Sequence, residues 1–139
     1  MQISARNQIS GIVELITNGT VNAEVYIKLK SGYTIVSVIT NTAVSNLNLK
    51  LGDEVVAIFK SNTVLITTDI SLNISARNKL QGKVDSINKG EINSELIIDI
   101  GNGDKVASII TSNSIDRLNI KNGAQVSAII KASDVMIGK

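Results

Sequence analysis

Between Val21 and Leu29 the apolar residues Val21, Ala23, Val25, Ile27 and Leu29 alternate with Asn22, Glu24, Tyr26 and Lys28. Successive side chains of a strand point to opposite faces, so this period of two predicts a β-strand with one buried face. Ile92, Ser94, Leu96, Ile98 and Ile100 line the matching face of a second such strand. The runs GIVELI (11–16), YTIVSVIT (33–40) and EVVAIFK (54–60) are rich in β-branched residues and predict three more strands, followed by a short TVLIT (63–67). Turn signals punctuate them at Thr17–Gly19, Lys30–Gly32, Leu51–Glu54 and Gly101–Asp104. One segment breaks the period. NTAVSNLNL (41–49) places its apolar residues at Val44, Leu47 and Leu49, which predicts one or two turns of helix, and SNSIDRLNI (112–120) matches it.

The pattern occurs twice. A shift of 71 residues lays Ile3–Ile66 on Ile74–Ile137 without a gap, and about 26 of the 64 positions are identical. The chain therefore reads as two like domains, 1–68 and 71–139, joined by the short stretch Thr67–Asn73. Five short strands with one short helix before the fourth describe an OB-like barrel. The expected fold is all-β: two tandem OB-like five-stranded β-barrels, each with a short helix. A barrel of about 65 residues buries only about 60% of its unfolded surface, so the two are expected to pack together and to associate with further chains.

Composition narrows the chemistry. Of 139 residues, 43% are hydrophobic but only 2% are aromatic, so the core must be built from Ile, Val, Leu and Ala. The absence of His and Cys removes imidazole acid–base catalysis, thiol chemistry, disulfides and most transition-metal sites. With no Gly-rich phosphate loop and no carboxylate dyad either, an enzyme is not expected, nor a metal cation. A net charge of +2 is too small to imply a polyanion partner. One Phe and two Tyr offer no stacking platform for bases, so a nucleic-acid binder of OB type is the weakest reading. The opening MQISARNQIS lacks the apolar core of a signal peptide, and no apolar run approaches the roughly 18 residues of a membrane span. A cytoplasmic protein without membrane contact is expected.

The pentapeptide ISARN stands at Ile3–Asn7 and again at Ile74–Asn78. With it recur ITNGTVNAEV and its partner INKGEINSEL, the loops TNTAV and TSNSI, and a lysine followed by a small residue at Lys60–Ser61 and Lys131–Ala132. In this order and spacing, twice over, the chain resembles the Mop domains of molybdate-binding proteins, and as a tandem it resembles the di-Mop molbindins. The resemblance implies OB-like barrels, a homotrimer, and molybdate or tungstate bound at subunit interfaces for intracellular storage and homeostasis, with no catalytic cofactor and no nucleic acid.

Carried over residue by residue, the resemblance implies interface sites lined by Ser4, Arg6, Thr40, Lys60 and Ser61 from the first repeat. From the second come Ser75, Arg77, Thr111, Ser114, Lys131 and Ala132. The chemistry is reasonable: a tetrahedral dianion offers acceptors only, and calls for about two cations, neutral donors and no nearby carboxylate. Two departures separate the repeats. Ala43 stands where the second has Ser114, and Ala132 where the first has Ser61. A second kind of site, on a three-fold axis, is implied at Gly19, Thr20, Val21 and Asn22 and at Gly90, Glu91, Ile92 and Asn93.

Each assignment has a plainer rival. Gly19 and Gly90 read more readily as simple turn glycines of positive φ than as an anion site. Arg6 and Arg77 read as exposed arginines, and Lys60 and Lys131 as solvated strand ends. Asn7 and Asn78 are expected to satisfy backbone groups at a barrel corner rather than touch ligand. Glu24 and Glu95 are expected to face solvent. The alternative function is a molybdate-sensing module of a transporter or transcription regulator. The motif begins beside Met1 and the second repeat runs to the end, leaving no room here for a DNA-binding or ATPase segment, so storage is the favoured expectation.

Overall fold

The structure, a computed structural model, describes residues 2–139. The first repeat contains β1 (Asn7–Asn18), β2 (Asn22–Leu29), β3 (Thr34–Thr40), α1 (Asn41–Asn46), β4 (Glu54–Phe59) and β5 (Leu65–Thr67). The second contains β6 (Asn78–Lys89), β7 (Asn93–Gly101), β8 (Asp104–Thr111), α2 (Ser112–Leu118), β9 (Gln125–Ile130) and β10 (Met136–Gly138). The expected all-β, OB-like architecture is the one observed: two curled five-stranded sheets, each with a short helix between its third and fourth strands.

The alternation read from the sequence is what buries the core. Ala23, Val25, Ile27 and Leu29 of β2 are buried, as are Ser94, Leu96, Ile98 and Ile100 of β7. Val21 and Ile92 depart from it. They sit past the strand ends at the hairpin tips, where they are 68% and 77% exposed. β1 bends because of a bulge between Val13 and Leu15, and β6 has the same irregularity between Val84 and Ser86. A bulge adds a residue to one strand and lets it turn across a second partner. That is how β1 pairs with both β2 and β4. Gly11 marks the close crossing, where a Cβ would come within 2.5 Å of Ile27 Cγ2 and 2.7 Å of the Lys28 carbonyl oxygen. Phe59 is fully buried in a core otherwise aliphatic, and truncating such a residue to Ala costs about 3–5 kcal/mol.

The sheets do not follow the repeat boundaries. Their strand orders are β10-β4-β1-β2-β3 and β5-β9-β6-β7-β8, so each repeat lends its last short strand to the other's sheet. Leu65–Thr67 pairs with Ile129–Ser127, and Met136–Gly138 with Ile58–Val56. The far edges are covered across the repeats as well. On β3, Ser37 Oγ donates to the Val135 carbonyl at 2.6 Å; on β8, Ser108 Oγ donates to the Val64 carbonyl at 2.8 Å.

Asn7 and Asn78 complete that closure. Asn7 Nδ2 donates to the Ala107 carbonyl at 2.8 Å while its Oδ1 accepts from Ala107 N at 2.7 Å. Asn78 does the same with Val36, at 2.9 and 2.7 Å. Each amide copies the donor–acceptor pair of a strand neighbour, satisfying an edge that would otherwise invite pairing with another chain. The expectation that these asparagines serve backbone groups is met, but the groups belong to the opposite repeat. This accounts for the last letter of each ISARN.

Candidate functional site

The ladder that ends at Asn7 and Phe59 sets Arg6 beside Lys60, and the ladder ending at Asn78 and Ile130 sets Arg77 beside Lys131. Ser4, Arg6, Lys60 and Ser61 line one open cavity of about 310 Å³, whose remaining wall includes Ile109 and Met136 from the second repeat. Water occupies about 30 Å³ per molecule in the liquid, so this cavity is ample for a four-oxygen anion. Thr40 lies elsewhere, at the far end of β3, where it pairs with Asn22. The threonine nearer the cavity is Thr111, two residues along β8 from Ile109 on the same face. Within one chain, then, neither loop threonine lines the cavity that holds the cations.

Both threonines cap their helices. Thr40 Oγ1 accepts from Ala43 N at 3.0 Å, and Thr111 Oγ1 accepts from Ser114 N at 3.1 Å. A hydroxyl that accepts at a cap keeps its own proton to donate outward. Thr111 and Ser114 also share a hydrogen bond at 2.7 Å, which Ala43 cannot offer Thr40. Ser61 and Ala132 each open a one-turn 3₁₀ segment and are buried, 6% exposed in both cases.

The arginines are not free. Arg6 Nη1 lies 2.5 Å from Glu95 Oε2. Arg77 Nη1 is paired with Glu24 Oε2, and Arg77 Nη2 donates to Tyr26 Oη at 3.0 Å. The Arg77 guanidinium also stands 5.9 Å from the centre of the Tyr26 ring, within cation–π range. Tyr26 Oη in turn donates to Glu24 Oε1 at 3.3 Å. The hydrogen bond from Arg6 holds the Glu95 carboxyl below its ordinary pKa of 4.5. Hydrogen bonds to Tyr26 and then Glu24 raise the Arg77 guanidinium further above an already high value. Two expectations are thereby corrected. Glu24 and Glu95 do not simply face solvent, and the arginine sites are not free of carboxylates. Both acids are outward residues of strands, which reads locally as solvation; their partners lie 53 and 89 residues away in the other repeat. Tyr26 gave no local signal either.

Gly19–Asn22 and Gly90–Asn93 form the two hairpin tips. Neither Gly19 nor Gly90 has a positive φ, which corrects the turn-glycine reading. Glycine is needed there because a Cβ would lie 2.7 Å from the Asn22 carbonyl oxygen, or 2.4 Å from that of Asn93. The tips are anchored differently. Asn41 Nδ2 donates to the Gly19 carbonyl at 2.9 Å, whereas Ser112 Oγ donates to that of Gly90 at 2.6 Å and bonds Ser94 Oγ at 2.7 Å. Thr20 and Val21 are exposed at one tip, and Glu91 and Ile92 at the other. The Glu91 carboxylate opposes an anion at the second tip.

Among the described residues no helix is long and apolar enough to cross a membrane, and no group of three or more Asp or Glu is placed to hold a metal ion.

Comparison with known proteins is consistent with this geometry. The chain matches the TOBE domain model twice, over residues 3–66 and 74–137. It is 39% identical over 137 residues to the molybdenum transport protein ModE of Azotobacter vinelandii, covering 99% of this chain and 51% of that protein. It is 36% identical over 138 residues to the molybdenum-pterin-binding protein MopA of Rhodobacter capsulatus, covering 99% and 52%. The chain thus spans about half the length of these curated relatives. Among solved structures, it superimposes on the cytoplasmic molybdate-binding protein ModG, with molybdate bound, at a TM-score of 0.95 and 41% identity over 99% of each chain. The likeness to Mop domains read from the repeated motifs holds, and the chain belongs to the TOBE domain family, whose domain it carries twice in tandem.

Proposed function

We propose that this chain binds molybdate or tungstate, and that it stores and buffers the oxyanion in the cytoplasm rather than catalysing a reaction. The observation that carries the reading is the convergence of Arg6, Lys60, Ser4 and Ser61 on one cavity. Two cations with hydroxyl donors suit a tetrahedral dianion, which accepts hydrogen bonds at every oxygen. Ser75, Arg77, Lys131 and Ala132 supply the corresponding set in the second repeat, with one hydroxyl fewer, and Thr40, Thr111 and Ser114 the loop donors. The molybdate-bound relative of nearly equal length supports the choice of anion and of compartment.

The same reading calls for a homotrimer. Thr40 and Lys60 belong to one repeat yet do not share the cavity, so a neighbouring copy is the natural source of the missing loop donors. The hairpin tips Gly19–Asn22 and Gly90–Asn93, with Val21 and Ile92 outermost, would meet near the three-fold axis. Gathering cations at an interface costs desolvation and repulsion, and a bound dianion reverses that sign. Ligand should therefore stabilise the oligomer, by about 4 kcal/mol per site at a thousand times the dissociation constant.

Calorimetric titration with molybdate, tungstate, sulfate and phosphate, alongside light scattering, tests the reading. Molybdate and tungstate should bind tightly to a trimer and sulfate and phosphate weakly; equal affinity for sulfate and molybdate would sink the assignment. A second reading, a sensing module of a larger regulator, is favoured by the half-length match to ModE. It shares the binding chemistry and differs only in what the tandem is attached to.

A further inference from the structure

The carboxylates on the two arginines raise a problem of charge that the proposed function does not resolve. Arg6 and Lys60 line the first cavity and Glu95 is paired with Arg6, a net of one positive charge when all three are ionised. A dianion placed among them leaves one negative charge uncompensated. It also brings anionic oxygens up to a guanidinium whose Nη1 already donates to a carboxylate at 2.5 Å. If the carboxylate withdraws, the two cations match the dianion.

Withdrawal is open to both acids. The Glu95 side chain keeps 30% of its surface in water and that of Glu24 keeps 32%, so a change of rotamer delivers either carboxylate to solvent. The exchange replaces one charge-assisted hydrogen bond on the guanidinium by another, and breaking a pair so exposed costs little. The same arrangement is built twice from different halves of the chain, which makes an accidental rotamer a poor explanation.

We propose that Glu95 and Glu24 are exchangeable counterions of Arg6 and Arg77, competing with the oxyanion for each guanidinium and displaced from it on binding. This rests on the oxyanion-binding reading and adds to it a specificity-setting pair of acids. A weakly charged ligand cannot repay the displacement, whereas a full dianion can. The two sites are unequal, because Tyr26 Oη also accepts from Arg77 at 3.0 Å and stays in place when Glu24 leaves, whereas among the described residues Arg6 has no such second partner.

The charged neighbours define the pH behaviour. Glu95 faces Arg6, whose cavity Lys60 also lines, and its strand neighbours Asn88 and Ile109 are neutral. Glu24 faces Arg77 and Tyr26, with neutral Thr17 and Val38 beside it. The Glu95 carboxyl, held below its ordinary pKa by the hydrogen bond from Arg6, holds a proton more tightly once it loses that arginine and gains a dianion nearby. Binding therefore takes up protons, and affinity rises as the pH falls towards the carboxylate range.

The test is molybdate titration of the full chain and its Glu95→Gln and Glu24→Gln variants between about pH 8 and pH 4.5. Each variant should bind about three- to tenfold tighter at its own class of site at neutral pH, and Glu95→Gln should also flatten the pH profile. Glu95→Gln should show the larger gain. Melting without anion checks that each variant is folded, and because the acids lie in different repeats, either variant alone decides the question. If molybdate binds the wild type but binds the Gln variants equally or more weakly, the acids orient the arginines and the exchange is wrong. A wild type that takes up no molybdate overturns the functional reading, and this proposal with it.

Discussion

Arg6 and Arg77 hold equivalent places in the two repeats but keep different company. Among the described residues Arg6 has Glu95 alone, and the residue of β7 that corresponds to Tyr26 is Ile97. Arg77 has Glu24, the Tyr26 hydroxyl and the Tyr26 ring. The asparagines one position later are held alike, each by two hydrogen bonds of 2.7–2.9 Å to the backbone of the opposite repeat. The contrast shows where repetition binds the chain and where it does not. Asn7 and Asn78 answer to backbone geometry, which is common to both halves. The arginines answer to neighbouring side chains, which differ.

The sharpest way to break this comparison is at the asparagines. Asn7→Ala and Asn78→Ala each leave a buried backbone N–H and C=O without partners, at about 1–3 kcal/mol per group. Each should lose about 2–6 kcal/mol of stability in denaturant titration, by the same amount within error. A large inequality would mean that the two closures are not equivalent. Tyr26→Phe sharpens the difference instead. It keeps the ring under Arg77 but removes the hydroxyl, worth about 0.5–1.5 kcal/mol, so molybdate affinity should change by up to about tenfold at the Arg77 sites and not at the Arg6 sites. Equal change at both classes would contradict the assignment of Tyr26 to one repeat. Smallest is Ser61→Ala, which gives the first repeat the residue the second already has. Calorimetry should show less than about a threefold loss at the first class of site if the anion meets the backbone there, and more only if it meets the hydroxyl.

The β-character of the chain was legible because each strand buries one face: Ala23, Val25, Ile27 and Leu29 announce β2 without help from the rest of the molecule. The exchange of β5 and β10 was not legible. Leu65–Ile66 and Met136–Ile137 are interchangeable in pattern, so either three-residue strand suits either sheet, and only the chain path decides. The candidate cations could be found through their recurrence beside ISARN and after β4 and β9. Glu24 and Glu95 could not be assigned from the sequence, because an outward acid on a strand has no local mark of its partner. Ile109 and Met136 reach the cavity only because the repeats interlock.

The central claim is that the repeated arginines each carry one class of oxyanion site. Molybdate titration by calorimetry of the wild type, Arg6→Ala and Arg77→Ala tests it most directly. A charge-assisted contact to a dianion is worth about 1.5–3 kcal/mol, so each variant should lose roughly tenfold to a hundredfold in affinity at its own sites while keeping the other class and its fold. The number of tightly bound anions per chain should fall in each. Unchanged affinity and stoichiometry in both variants would contradict the account.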